Sequence, residues 1–257
     1  MHFVERHARR YAQFERLRHA AGLVHAFSTR PANVAPRDGA GAAEREAQRR
    51  TMLTDWGFDA SRLYYCLQVH ETRLTVVTRD VAAGPLPECD GVVTDRPGVA
   101  LMTFSADCPL VLVHDSVRRA LGLVHASWRC TVAGLPMRLI ELMSERFGCR
   151  PADLHAGVGP GAGPCCYEVQ SDVYEAAVTL PEREPCFARR GGRMYFDLWI
   201  ANRSLLQAAG VPAAQIELAG VCTLCRNDVF YSFRREGAGC GHFGLLAGLM
   251  EVPPGTR

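Results

Sequence analysis

Short apolar runs, broken by glycine, proline and charged turns, dominate the middle of the chain. LYYCLQVH (63–70) and RLTVVT (73–78) read as neighbouring, paired strands, and residues 91–94 and 98–104 as two more. PLVLVH (109–114) and RALGLVH (119–125) are almost continuously apolar, the pattern of central strands covered on both faces. Helical spacing marks residues 42–56, 133–147 and 197–209, the last punctuated by Gly210 and Pro212. A strand at 154–158 runs into a Gly/Pro-rich loop at 159–164, and a helix follows from about Ser171. Residues 22–28, 216–220 and 229–232 are further short strands, and RPANVAPRDGAG (30–41) is loop. The first 20 residues read as an Arg-rich amphipathic or capping segment, an N-terminal extension on a domain spanning 1–257. Strand-rich and helix-rich stretches intermingle, which predicts an α+β or layered α/β fold: one domain with a mixed sheet flanked by helices.

Composition narrows the chemistry. A chain of 257 residues with 48% apolar and 22% charged residues has enough material for a buried core. A net charge of +2 argues against bulk electrostatic capture of nucleic acid or an acidic membrane. No apolar run approaches a membrane span and the first residues hold no apolar signal core, so a soluble cytoplasmic protein is expected. All 29 basic residues are arginine. The missing lysine amine excludes Schiff-base catalysis, lysine-anchored pyridoxal phosphate and a Walker A loop, so a bound phosphate must be held by arginine or backbone N–H groups. Eleven cysteines, odd in number and irregularly spaced, do not form a disulfide framework; Cys66, Cys89, Cys149 and Cys186 read as buried small hydrophobes.

Three apolar segments end in metal-ligating residues: LQVH at His70, FSADC at Cys108 and LVH at His125. Two imidazoles and a thiolate with a fourth position open form a catalytic zinc arrangement, in which water on the open position becomes hydroxide near neutral pH. A second reading makes Cys108 a nucleophile with His125 as base and Asp107 as a candidate orienter, although neighbours on a strand point to opposite faces. Arg129, just past the strand in HASWRC, is placed to clamp an anion near a helix start. GVGPGAGPCCYEV (157–169) has a phosphate-cradle composition without either phosphate-loop pattern. CTLC (222–225) lacks a second CxxC to complete four thiolates, leaving Cys240 and His242 as late candidates; packing is the favoured role.

The runs QVH, CDGVVTDRPGVAL, SADCPLVLVHD, HASWRC, GVGPGAGPCCYEV, CTLC and FYSFRREG, in this order, resemble one family from about His25 to Gly244. It is the bacterial polyphenol oxidase or laccase-domain family, whose relatives are also described as purine nucleoside phosphorylases with adenosine deaminase activity and as peptidoglycan-editing factors. The resemblance implies zinc, with copper as the alternative metal, on His70, Cys108 and His125, and a layered α/β fold shared with cysteine-hydrolase toxins. It also implies a purine nucleoside and phosphate as small-molecule substrates, for which Arg30, Gln68 and Arg129 are candidate contacts. An amidase acting on peptidoglycan precursors, through zinc-activated water or a Cys108–His125 pair, is the alternative. A copper polyphenol oxidase is disfavoured because none of the nine histidines forms a His-x-His pair. Ser127 and Cys130 stand where the family has glycines, which predicts a narrower pocket if those glycines let substrate approach the backbone. PANV (31–34) and GCGH (239–242) depart from a Gly-Gly turn and a Gly-Arg ending.

Overall fold

The computed structural model describes residues 1–37 and 39–250. A hairpin of β1 (His2–Arg6) and β2 (Arg9–Gln13) is followed by β3 (Leu23–Ser28), helix α1 (Ala42–Asp55) and β4 (Leu63–Cys66). Short strands β5 (Leu74–Val76) and β6 (Gly84–Leu86) precede β7 (Gly91–Thr94), β8 (Ala100–Ser105), β9 (Leu110–Asp115) and β10 (Ala120–His125). Helices α2 (Trp128–Val132) and α3 (Leu135–Phe147) lead to β11 (Leu154–Val158), β12 (Glu168–Val169) and α4 (Ser171–Ala176). The hairpin β13 (Phe187–Arg190)–β14 (Arg193–Phe196), helix α5 (Leu198–Ala208), β15 (Ile216–Leu218), α6 (Phe233–Glu236) and β16 (Phe243–Leu249) complete the order.

The strands form a seven-stranded sheet, β1-β2-β3-β16-β8-β4-β6, a six-stranded sheet, β15-β11-β9-β10-β7-β5, and a small sheet, β12-β14-β13. Both large sheets are mixed: β4 runs parallel to β6 and β8, and β11 runs parallel to β15 and antiparallel to β9. Period-two alternation places Leu110, Leu112, Leu121 and Leu123 between the large sheets, against Phe27, Leu101, Phe243 and Leu245. The alternate residues Val111, Val113 and Val124 face α3 through Leu135, Leu139 and Met143. On the far side, Met102, Phe104 and Leu246 pack against Met52, Leu53 and Trp56 at the end of α1. The layers therefore run helix, sheet, sheet, helix, and the central strands are apolar throughout because both their faces are covered. Among the described residues, no helix is long and apolar enough to cross a membrane.

The α/β class and the single domain agree with the sequence pattern, but four details differ. Two sheets stack where one was expected. Residues 1–20 are no appended segment: β1 and β2 extend the seven-stranded sheet, and Asp55 at the end of α1 accepts the Tyr11 hydroxyl at 2.6 Å and meets His7 Nδ1 at 2.9 Å. The stretches 63–70 and 73–78 do not pair, since β4 lies in one large sheet and β5 in the other. Residues 229–232 form no strand; the Val229 N–H closes a turn on the Arg226 carbonyl, and Ser232 caps α6 by accepting the Arg235 N–H.

Candidate active site

Several crossings of the chain between the large sheets gather near one end of the stack, and two of them carry a candidate ligand. His70 lies on the way from β4 to β5, and Cys108 between β8 and β9. Both crossings use backbone that L-residues rarely adopt: His70 has φ +62° and the residue before Cys108, Asp107, has φ +102°. His125 ends β10 in the six-stranded sheet. The ligand atoms of His70, Cys108 and His125 all lie within 4.8 Å of one another, and the two imidazoles meet edge to face at 4.8 Å between centroids.

Asp90, fully buried just before β7, organises this cluster. One carboxylate oxygen lies 2.8 Å from His125 Nδ1; the other accepts the backbone N–H groups of Val69 and Glu71, at 3.0 and 2.9 Å, on either side of His70. The Asp90 carbonyl also accepts the His125 N–H at 2.7 Å. Burial opposes the Asp90 charge, but the hydrogen bonds from His125 and from the two N–H groups outweigh it and hold its pKa below the usual carboxylate range. With Nδ1 committed to Asp90, His125 turns Nε2 toward the cluster, the carboxylate–histidine pairing common behind metal ligands. Burial, with Asp107 next to it, pushes the Cys108 thiol well above its ordinary range, and burial together with His125 lowers His70. Two imidazoles and a thiol with a side open to solvent space are a donor set that suits zinc.

The three residues line a cavity of about 710 Å³, within the range of small-molecule sites. Of the predicted substrate contacts, Gln68 and Arg129 reach this cavity and Arg30 does not. Gln68 donates to the Phe104 carbonyl and accepts the Phe104 N–H, both at 2.8 Å, so its amide fastens the His70 loop to β8. Arg129 is exposed, lies 4.5 Å over the Trp128 ring and pairs with no carboxylate among the described residues. Arg30 instead pairs with Glu236 and stacks 4.2 Å over Tyr231.

Asp107 does not orient His125. Its carboxylate accepts the Thr223 hydroxyl at 2.6 Å and the Arg234 N–H at 2.7 Å, tying the C-terminal loops to the cavity rim. Ser127 lines the cavity, whereas Cys130 is buried behind it with Sγ 3.1 Å from the Glu71 carbonyl, so Ser127 is the replacement that bears on the pocket. The Gly/Pro loop is packing rather than phosphate cradle: a Cβ at Gly161 would come within 2.8 Å of the Asp107 carbonyl, and one at Gly163 within 2.7 Å of Trp199.

Tyr167, Arg234, Arg37 and His242 also line the cavity; the first three are not singled out by the sequence, and His242 figures there only as a late metal candidate beside CTLC, whereas the structure places it at this cavity. Arg234 stacks 4.5 Å over Tyr167, while Arg37 lies 3.3 Å from His242 Nε2, whose pKa is lowered to about 4 by burial and then by Arg37. The segments CCYEV, FYSFRREG and GCGH that contain three of them were the available signal. CTLC also departs from the expected packing role. Cys225 is exposed, and Cys222 and Cys225 meet Cys165 and Cys166, a vicinal pair that a search for CxxC spacing passes over.

A family model described as multi-copper polyphenol oxidoreductase laccase matches residues 20–250. The chain is 35% identical over 214 residues to a purine nucleoside phosphorylase, YlmD, of Geobacillus stearothermophilus, covering 79% of this chain and 78% of that protein. It is 33% identical over 208 residues to an adenosine deaminase from an unknown prokaryotic organism, covering 75% and 77% respectively. The crystal structure of the hypothetical protein YfiH of Bacillus licheniformis aligns with a TM-score of 0.84 at 29% identity, over 88% of this chain and 92% of that one.

Proposed function

As the chain belongs to the multi-copper polyphenol oxidoreductase laccase family, we propose that it is a zinc-dependent purine nucleoside enzyme, cleaving adenosine- and inosine-type nucleosides with phosphate and deaminating adenosine. The observation that carries this reading is the convergence of His70, Cys108 and His125 at a nucleoside-sized cavity. Relatives named purine nucleoside phosphorylase and adenosine deaminase supply the substrate class.

His70, Cys108 and His125 would hold the metal, and zinc there supplies Lewis acidity beside the bound substrate. Asp90 keeps both histidines in place through hydrogen bonds to the His125 ring and to the loop around His70. Trp128, Tyr167 and Phe233 give the cavity aromatic walls on which a purine can stack. Arg129, unpaired and beside the cavity, is the group proposed to take phosphate. A cytoplasmic setting suits a chain whose eleven cysteines are all free thiols. Copper is less well matched, since among the described residues no methionine lines the cavity to supply the weak axial ligand of a blue-copper centre.

A second reading, hydrolysis of an amide in peptidoglycan precursors, draws on one observation: Asp90, His125 and Cys108 follow one another as orienter, base and nucleophile would. An assay of zinc-loaded protein with adenosine, inosine and phosphate separates the two. Release of free base and of ammonia is expected; neither product from either nucleoside would reject the nucleoside reading. Cys108→Ser should lose zinc and activity together, whereas full zinc content with no activity would assign Cys108 as nucleophile.

A further inference from the structure

A second sulfur cluster lies away from the His70–Cys108–His125 set. The Sγ atoms of Cys165, Cys166, Cys222 and Cys225 all lie within 4.8 Å of one another. Cys225 Sγ is 3.7 Å from Cys165 Sγ and 3.5 Å from Cys166 Sγ. A tetrahedral ion with zinc–sulfur bonds of about 2.3 Å holds its sulfurs about 3.8 Å apart, close to these separations. We propose that these four cysteines form a second, structural metal site, taking a single tetrahedral ion of the zinc type.

The surroundings match a tetrathiolate. Cys222 Sγ accepts the Gly163 N–H at 3.3 Å and is also turned toward the backbone N–H groups of Leu224 and Cys225. Such bonds spread the charge of a metal-bound thiolate. A divalent ion on four thiolates leaves a double negative charge, and two guanidinium groups are anchored beside it. Arg190 donates to the Pro164 carbonyl, next to the first pair, and Arg235 donates to the Leu224 carbonyl at 2.7 Å, inside the second. The two cysteine pairs sit on segments already in register, since the Thr223 N–H meets the Gly161 carbonyl at 3.0 Å. Four donors from the protein leave no open coordination position, so the site is structural rather than catalytic.

The ion would clamp two segments that both reach the cavity. Tyr167 follows the first pair, and Phe233 and Arg234 follow the second. The second site therefore fixes the wall on which these residues stand, and its loss should lower the melting temperature.

Metal analysis of the zinc-loaded, reduced protein tests this. About two zinc ions per chain are expected, falling to about one in Cys225→Ser and about one in Cys108→Ser. Cys225 is exposed, so its replacement leaves the core intact. Cobalt-loaded Cys108→Ser should show the visible spectrum of a tetrathiolate centre, which does not depend on activity. A single zinc in the parent protein that survives Cys225→Ser and disappears in Cys108→Ser would overturn the second site and leave the first standing. Loss of metal only in Cys225→Ser would do the reverse. A Cys165–Cys225 or Cys166–Cys225 disulfide in protein purified with zinc under reducing conditions would also reject it.

Discussion

At the residue scale, Asp90 connects two candidate ligands that lie far apart in the chain. It bonds the His125 ring and the backbone on both sides of His70, so one carboxylate sets the direction of one imidazole and the path of the loop carrying the other. Asp90→Asn keeps the shape but removes the charge that steadies a metal-bound imidazole. Zinc affinity at the His70 site should fall by roughly 10–100-fold, measured by competition with a chromogenic chelator. Unchanged affinity would reduce Asp90 to a loop anchor. The three candidate ligands stand out in the sequence because each closes an apolar run, but only His125 ends a strand; His70 and Cys108 lie on the loops after β4 and β8. Asp90 does not stand out, because its partners lie outside any local pattern. Asp107 was a candidate orienter only for its place beside Cys108; β8 ends at Ser105, and the Asp107 carboxylate turns to Thr223 and the Arg234 N–H instead.

At the scale of elements, the best-read strands were those covered on both faces, β9, β10 and β11, where continuous apolar runs leave little choice. The hairpin β13–β14 was missed although its signal was present. Arg190 pairs with Arg193, leaving Gly191 and Gly192 as a two-residue turn with φ +55° and +76°, the mirror-image turn that glycine favours. The supposed pairing of β4 with β5 failed because the Asp90 carboxylate holds the intervening loop as it crosses to the other sheet. Strand β3 also carries a pH-sensitive group. His25 is fully buried, and its Nε2 accepts the Phe14 N–H at 3.0 Å. Burial, and then His114, lower its pKa to about 3, so folding favours the neutral ring. The stability this contributes is complete above the unfolded value near 6.5 and is lost as the pH falls toward 3. The loss reaches about 2 kcal/mol by pH 5. His114, lowered to about 4 chiefly by burial, acts in the same direction. The melting temperature should therefore drop between pH 7 and pH 5, and His25→Gln should flatten the drop. An equal slope in the variant would remove His25 from the account.

Across the whole molecule, the cavity opens where the two large sheets end and the C-terminal loops fold over them, and its charge is set by arginine. Arg37, Arg129 and Arg234 all line it, but they are differently committed. Arg37 faces His242, and Arg234 donates to the Glu168 carbonyl at 2.6 Å while stacking on Tyr167. Among the described residues Arg129 stacks on the Trp128 ring and pairs with no carboxylate, which leaves its donors free for an incoming anion. The proposed activities divide on this point, because phosphorolysis consumes phosphate and adenosine deamination does not. Arg129→Gln removes a charge-assisted contact of about 1.5–3 kcal/mol, so the KM for phosphate should rise by roughly 10–100-fold. Adenosine deamination by the same variant should change far less. Steady-state assays of both reactions on one preparation make the comparison internal. Equal losses in the two would show that Arg129 holds the nucleoside or the fold rather than the phosphate. An unchanged phosphate KM would move the anion to Arg37 or Arg234, the other arginines of the cavity lining.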